Sequence, residues 1–393
     1  NMDAYIVAGY RTAVGRGKRS VLKSVRSDDM AAEVIKHLVG QVANFDPTRV
    51  DDLIVGNAVP EAEQGMQMGR MISLLSLPIG VPGVTVNRYC GSGLEAIALA
   101  SSRIHAGTAD CIIAGGTESM SQVPVMGYKT ALNYKLATEH KDYYLSMGLT
   151  AEQVGKEYNI TREESDQFAF ESHQKAVKAQ ADGKFDDEIV PIKVTEKFVD
   201  ANGKMAEKSY TVDKDEGPRG DTSMEILASL RPVFAQGGQV TAGNSSPVSD
   251  GASFVMVMSE KMVKELGLEP IARMVTYTAV GVHPRIMGIG PVDAVPKALK
   301  QAGLKQSDLD LIELNEAFGA QSLAVIKELD LDRSILNVNG GAIALGHPLG
   351  CSGAKLSVQL FNEMRRRGNA KYGMVTACVG GGQGVAGIYE FLK

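Results

Sequence analysis

The sequence predicts an α/β protein built on buried, mainly parallel sheets. Three observations point there. Short apolar runs of strand length alternate with longer segments of helix-like apolar spacing. The runs are apolar throughout rather than alternating, as in strands covered on both faces. Finally, one strand–helix–strand pattern occurs twice along the chain.

Taken in order, Leu53-Ile54-Val55 reads as a buried strand, and residues 93–105 as a helix leading to a second strand at Cys111-Ile112-Ile113-Ala114. Residues 119–244 read differently. They hold Tyr143-Tyr144, a polar helix over 161–182 and a charged stretch over 196–221. Thr161 followed by Glu164 fits a capping box ahead of that helix. The region is expected to be an insertion that covers a site between the repeated units, with a disordered linker as the alternative for residues 196–221. Phe254-Val255-Met256-Val257, Leu311-Ile312-Glu313-Leu314 and Met374-Val375-Thr376-Ala377 are further buried strands, with a helix over 354–367 before the last.

In the first half of the repeat, Asp51-Asp52-Leu53-Ile54-Val55-Gly56-Asn57 is followed by Val86-Asn87, Cys90-Gly91-Ser92-Gly93, a helix, and Cys111 to Gly116. In the second, Asp308-Leu309-Asp310-Leu311-Ile312-Glu313-Leu314-Asn315 is followed by Val338-Asn339, Cys351-Ser352-Gly353, a helix, and Val375-Thr376-Ala377-Cys378. Two related α/β units packed together would give this pattern, and so would chance likeness of two strand–helix–strand units.

With 393 residues, 44% of them hydrophobic, the chain can bury a large core in more than one packing unit. A net charge of −5 excludes the basic excess of a nucleic-acid binder. Any phosphate site must be local, made of a few basic side chains and backbone amides. Four cysteines in so long a chain make no disulfide framework and read as free thiols in a reducing compartment. The N-terminus lacks a basic-then-apolar signal segment, with Met2 read as the start residue and Asn1 as an added one. The C-terminal Glu390-Phe391-Leu392-Lys393 is not a peroxisomal address. No apolar run approaches the roughly 20 residues that span a bilayer. A soluble cytoplasmic protein with no membrane or nucleic-acid partner is expected.

Five segments can carry chemistry. Cys90 lies between a strand and a helix N-terminus, where unpaired amides and the helix dipole stabilise a thiolate. Gly91 and Gly93 allow close approach of a substrate. This is the setting of an activated nucleophile, although a lone cysteine is commonly a buried structural thiol. His347, one of six histidines, is fixed between Gly346 and Pro348 and can serve as a base; a surface-turn histidine is the plainer reading. Cys378 opens the run Val379-Gly380-Gly381-Gly382-Gln383-Gly384. Its glycine amides suit an oxyanion or phosphate cradle, and the thiol is either a proton carrier or inert. Asn315-Glu316-Ala317-Phe318 ends a strand, and its Asn donates to a carbonyl or caps a loop. Thr241-Ala242-Gly243-Asn244-Ser245-Ser246 binds a ligand amide or is only a turn. Cys111 reads as core, and Cys351 as the repeat-equivalent of Cys90. No Cys-x-x-Cys pair points to a metal.

Together and in this order, Cys90-Gly91-Ser92-Gly93, Gly115-Gly116-Thr117-Glu118-Ser119-Met120-Ser121, Thr241 to Ser246, Asn315 to Phe318, Gly346-His347-Pro348 and Cys378 to Gly382 resemble the thiolase family over nearly the whole chain. The resemblance implies the thiolase fold, two similar βα halves stacked in five layers with an inserted loop domain. The implied division is 1–118 for the N-terminal half, 119–244 for the loop domain, 245–270 for a return to the N-terminal half, and 271–393 for the C-terminal half. It implies that Cys90 is the acylated nucleophile and that His347 activates it. With a water held by Asn315, His347 would also form one oxyanion hole. The N–H groups of Cys90 and Gly380 would form the second, and Cys378 would be the acid/base. Coenzyme A, a substrate and not a tightly bound cofactor, would lie near Met147, Arg219, Ser246, Ala317 and Phe318. A homodimer or homotetramer is implied.

Two departures bear on substrate. Acetoacetyl-specific biosynthetic thiolases usually carry His where Ser146 stands, and Asn-Ala-Ser-Gly where this chain has Asn244-Ser245-Ser246-Pro247. Both favour a degradative 3-ketoacyl-CoA thiolase, while Gly91 is the biosynthetic spelling. An acetoacetyl-CoA-specific acetyl-CoA acetyltransferase is therefore the alternative. A ketoacyl-carrier-protein synthase would lack Cys378, and a non-catalytic acyl-CoA or lipid-binding relative would have lost Cys90, His347 or Cys378.

Overall fold

The computed structural model describes residues 3–392. The readings of Asn1, Met2 and Lys393 lie outside the described residues. The chain begins β1 (Ala4–Arg11), β2 (Gly15–Arg16), α1 (Ser27–Gln41), β3 (Asp52–Gly56), α2 (Met68–Ser76), β4 (Gly83–Val86), α3 (Ser92–His105) and β5 (Cys111–Ser119). It continues α4 (Tyr134–Glu139), α5 (Met147–Glu157), α6 (Arg162–Ala181), β6 (Ile192–Val199), β7 (Met205–Val212) and α7 (Met224–Ser229). Then come β8 (Ser249–Ser259), α8 (Glu260–Leu266), β9 (Ala272–Gly281), α9 (Gly290–Ala302), β10 (Leu311–Leu314), α10 (Gly319–Leu329), α11 (Ala342–Leu345), α12 (Ser352–Arg367), β11 (Tyr372–Val379) and β12 (Gln383–Phe391).

Strands follow the order β10-β11-β12-β9-β1-β8-β5-β3-β4, with β1 and β9 joined through the single pair Ile6–Ala272. The two halves of this sheet therefore part and stack with α3 and α12 between them. Alternation along the strands shows the layering. In β8, Val255 and Val257 face the central core with Leu94, Ile97, Leu356 and Leu360. Phe254, Met256 and Met258 face outward, onto α1 and α2. In β11, Val375 and Ala377 face the same centre while Met374 meets α9 and α10. The result is five layers, α/β/α/β/α, as the family resemblance implied.

The repeat is visible as two parallel crossovers, β3–α3–β5 and β10–α12–β11. Its Val338 element is reduced to isolated bridges, where the first half forms the strand β4. The expectation of mainly parallel pairing is corrected: β3 pairs parallel with β4 and β5, and β10 with β11, but the other pairings are antiparallel. A long excursion returns the chain as β8 between β1 and β5, and a short glycine turn returns it from β11 to β12. Neither connection is the helical crossover that a parallel pair needs.

Residues 120–248 leave the sheet between β5 and β8. Thr161 and Glu164 form the expected capping box on α6. Residues 196–221 are not a disordered linker: β6 and β7 pair as an antiparallel hairpin from Ile192–Val212 to Val199–Met205. Fully buried Arg11 on β1 ties this region to the core, donating to Glu188 at 2.6 Å and to Asp215 at 2.8 and 2.9 Å. Among the described residues no helix is long and apolar enough to cross a membrane.

One glycine contact positions the site. A Cβ on Gly93 would lie 2.7 Å from the Ala354 nitrogen, and one on Gly353 would lie 2.3 Å from the Leu94 nitrogen. Without side chains there, α3 and α12 touch backbone to backbone at their N-termini. The turns ahead of them, which carry Cys90 and His347, are thereby brought into one region.

Candidate active site

Cys90 sits in a single 3-10 turn, Tyr89–Gly91, ahead of α3. Tyr89 adopts φ +41°, a left-handed conformation unusual for a ring-bearing residue. Local hydrogen bonds hold it: Tyr89 N–H donates to Asn87 Oδ1 at 2.8 Å, and Ser92 Oγ donates to the Tyr89 carbonyl at 2.7 Å. The Cys90 thiol is buried, with the backbone N–H groups of Cys90 and Gly380 close enough to favour its charged form. Burial pushes it up to about 12, and the two amides offset only part of that rise. Complete desolvation thus opposes the stabilisation that the helix N-terminus was expected to give a thiolate there.

His347 follows Gly346, whose φ of +102° suits glycine. Its N–H donates to Ser249 Oγ at 2.9 Å. The imidazole lies between two partners, with Nε2 3.2 Å from Asn315 Nδ2 and Nδ1 on Ser352 Oγ. With the amide donating to Nε2, Nδ1 carries the proton toward Ser352, whose hydroxyl donates to the Pro348 carbonyl at 3.1 Å. Burial, and secondarily the buried Lys355 ammonium, holds His347 down to about 3. Burial thus favours the neutral imidazole, whose Nε2 lone pair faces the Asn315 amide. Asn315 Oδ1 is buried without a hydrogen-bond partner, an acceptor that a water or a substrate can use.

Cys378 ends β11, buried beside Met287, Ala317 and Phe318. Its pKa is raised by burial and then by Cys90, so the two thiols lie within charge-interaction range. Met147 packs on both the Cys90 group and the Cys378 group. Gly380 starts the turn into β12, and Gly381 and Gly382 both adopt φ +82°.

The structure thus places Gly380 and Cys378 near Cys90, with Met147 against both thiol groups and Ala317 and Phe318 beside Cys378, and it pairs His347 with Asn315, whose backbone N–H donates to the Thr376 carbonyl of β11 at 3.0 Å. Ser246 joins them through its N–H, which donates to the Ala317 carbonyl at 2.9 Å. Phe234 meets the Phe318 ring edge-on at 6.2 Å. Arg219 stands apart on the surface. Its N–H donates to His173 Nδ1 at 3.0 Å, and its charge faces Arg16. Asn244 resolves as a turn residue: its amide donates to Asp166 and the Gln239 carbonyl while its oxygen accepts from Thr241. Ser146 caps α5, accepting from Leu149 N–H at 3.4 Å.

Sequence reasoning missed Ser249 and Ser352, which orient His347, and Glu118. Fully buried Glu118 accepts from the N–H groups of Ala58 and Gly350 at 2.8 Å each, and from Gln64 at 2.7 Å and Asn57 at 3.1 Å. It thereby fastens the His347 turn to the first half of the fold. Its place in the Gly115–Ser121 block was a signal, but its role depends on donors far away in the chain. Arg16 was also missed; it reaches the Gly217 carbonyl at 3.3 Å from beside β8.

Two family models match this chain, "Thiolase, N-terminal domain" over residues 4–261 and "Thiolase, C-terminal domain" over residues 268–391. A 3-ketoacyl-CoA thiolase of Bacillus subtilis (strain 168) is 52% identical over 389 residues, covering 99% of each chain. An acetyl-CoA acetyltransferase of Pseudomonas aeruginosa is 45% identical over 399 residues, covering 98% of each. Among solved structures, the Bacillus anthracis acetyl-CoA acetyltransferase superposes with a TM-score of 0.89 at 40% identity, covering 100% of this chain and 99% of that one.

Proposed function

This chain belongs to the thiolase family and is an acyl-CoA acyltransferase, and we propose that it cleaves 3-ketoacyl-CoA with coenzyme A by a two-step covalent route on Cys90. The observation that supports the route is the buried Cys90 thiol, near the Cys90 and Gly380 amides and within charge-interaction range of a second buried thiol, Cys378. His347 takes the Cys90 proton as sulfur attacks the keto carbon, and the amides receive the tetrahedral oxyanion. The Cα–Cβ bond of the substrate then breaks. Acetyl-CoA leaves as an enolate stabilised by His347 and by a water on Asn315, and Cys378 protonates its carbon. The Cys378 thiolate next takes the proton of an incoming CoA thiol. The CoA sulfur attacks the acyl-Cys90 thioester, and Cys90 leaves and recovers its proton from His347. Reversal is a Claisen condensation.

Coenzyme A would lie along Met147, Ser246, Ala317 and Phe318 with its phosphates toward Arg219, as a substrate and not as a resident cofactor. Degradative use, as in β-oxidation, is supported by Ser146 and Ser245-Ser246 and by the naming of the Bacillus subtilis relative. The acetyltransferase relatives and Gly91 favour acetoacetyl-CoA specificity instead. Thiolysis measured from four to sixteen carbons decides between them. Comparable rates on long chains are expected, activity confined to four carbons would establish the alternative, and loss of all turnover in Cys90→Ser is required by either.

A homodimer fits the sheet edge. β4 is the last strand, and Met66 and Ile79 beside it are 87% and 80% exposed, with Leu74, Leu75 and Val84 partly so. Light scattering giving the mass of one chain would remove this assignment. The cytoplasm is the compartment in keeping with four unpaired, buried thiols, and cell fractionation tests it.

A further inference from the structure

One side-chain network beside the site has no role in the chemistry just described. Arg88 stands two residues before Cys90. Its guanidinium forks onto Glu95 of α3, Nε to Oε2 at 2.9 Å and Nη2 to Oε1 at 3.1 Å. The remaining donor, Nη1, reaches Gln383 Oε1 at 2.9 Å. Gln383 Nε2 in turn donates to the Gly380 carbonyl at 3.1 Å. Tyr277 of β9 closes the network by donating to Glu95. An unbroken chain of hydrogen bonds thus runs from the helix behind the nucleophile, in the first half, to the glycine turn whose amide faces the nucleophile, in the second.

The β11–β12 pairing fixes the ends of that turn at Val379 and Gln383 but not the three glycines between them. Gly380, Gly381 and Gly382 have no side chains to pack, and two of them sit in the left-handed region, which an untethered glycine turn readily leaves. On its far side the turn is tied by Val282 N–H to the Gly382 carbonyl at 2.8 Å. On the side facing Cys90 it is met by the Gln383 side chain. Energetics favour position over stability as the purpose. The Arg88 and Glu95 side chains are 31% and 17% exposed, so solvent screens part of what their ion pair adds to folding. A bidentate fork does fix geometry.

We propose that Arg88, Glu95 and Gln383 are positioning residues that hold the Gly380 amide against the Cys90 thiol across the boundary between the two halves. The proposal rests on Cys90 being the nucleophile and on Gly380 N–H serving its oxyanion hole. Such a donor acts only within about 2.7–3.1 Å of the developing oxyanion. Loosening the clamp should therefore slow acylation of Cys90 and leave substrate binding alone.

The test uses the full-length enzyme with Arg88→Met, Gln383→Met, the double variant, and Arg88→Lys, which keeps the charge but not the fork. Acyl transfer to Cys90 is followed in a single turnover by quenching and mass spectrometry, alongside KM. Each single change is expected to slow acylation by about 10- to 100-fold, the scale of a 1 Å misplacement, with KM within about two-fold. The double variant should be no slower than the worse single one, because one chain is broken only once. Arg88→Lys should not rescue. Wild-type acylation rates in the single variants, multiplying effects in the double, or a raised KM with unchanged acylation would each overturn the clamp. A wild-type enzyme that carries no acyl group on Cys90 during turnover would instead remove the covalent route, and the clamp with it.

Discussion

At the scale of single residues, the chemistry turns on two buried groups whose proton affinities are moved in opposite directions. Burial lifts the Cys90 thiol to about 12 and lowers His347 to about 3. Burial therefore favours the neutral thiol and the neutral imidazole over a thiolate–imidazolium pair. The sign of the pH dependence follows. The thiolate fraction of Cys90 rises about tenfold per pH unit below its pKa. Carbamidomethylation of Cys90 should thus climb steadily from pH 7 to 10 without a plateau, as read by mass spectrometry of the Cys90 peptide. A plateau beginning below pH 7 would show an ion pair and contradict this assignment. His347 stays unprotonated well below pH 6, so it contributes no acid limb there. Cys90, His347 and Cys378 could be singled out as candidates because each lies in or opens a short run rich in glycine or proline. The direction of the Cys90 shift was not legible, since it depends on residues from other segments that exclude water.

Among elements, the contact of α3 with α12 decides whether the site assembles. Alanine at Gly353 should gain up to about 1 kcal/mol of helix propensity. Its Cβ, however, would meet the Leu94 nitrogen at 2.3 Å, and neither backbone can yield without moving a helix. Overpacking of this kind costs about 1–3 kcal/mol, so the clash outweighs the propensity. Gly353→Ala is expected to unfold at lower denaturant concentration and to lose activity beyond its loss of stability, because the Cys90 and His347 turns move apart. Unchanged stability would mean that the helices are free to separate. The elements themselves were readable: the runs at 53–55, 111–114, 254–257, 311–314 and 374–377 all lie in strands. Pairing direction was not, because a parallel and an antiparallel buried strand carry the same apolar run.

For the whole molecule, the buried ion triad fastens residues 120–248 to the core. Arg11 is fully buried on β1, while Glu188 and Asp215 lie in the excursion between β5 and β8. The two carboxylates respond differently. Burial raises both, but Asp215 receives two guanidinium N–H groups and the Val14 N–H and ends below its usual range. Glu188, with one guanidinium bond, stays above. Arg11→Met would leave both carboxylates without the guanidinium they bond, and breaking a buried pair in this way costs about 3–5 kcal/mol. Equilibrium denaturation should show a loss of that size, with residues 120–248 becoming protease-sensitive first. A loss under about 1 kcal/mol would mean the triad is dispensable and that apolar packing alone holds the region.

Local chemistry is what the sequence could determine by itself. Glycine–histidine–proline and cysteine–glycine runs, apolar strands and a capping box are each set by neighbouring residues, and their order along the chain identified the family and singled out Cys90 as the candidate nucleophile. Tertiary structure decided what depends on segments far apart in the chain. It made the sheet mixed, turned 192–212 into a hairpin, and aimed the Gly380 amide at Cys90. It also gave Glu118, Ser352, Arg88 and Gln383 their partners, and left Arg219 on the surface beside Arg16. The physical reason is that burial, proton affinity and hydrogen-bond satisfaction are properties of a surrounding volume. A residue's sequence neighbours supply only a small part of that volume.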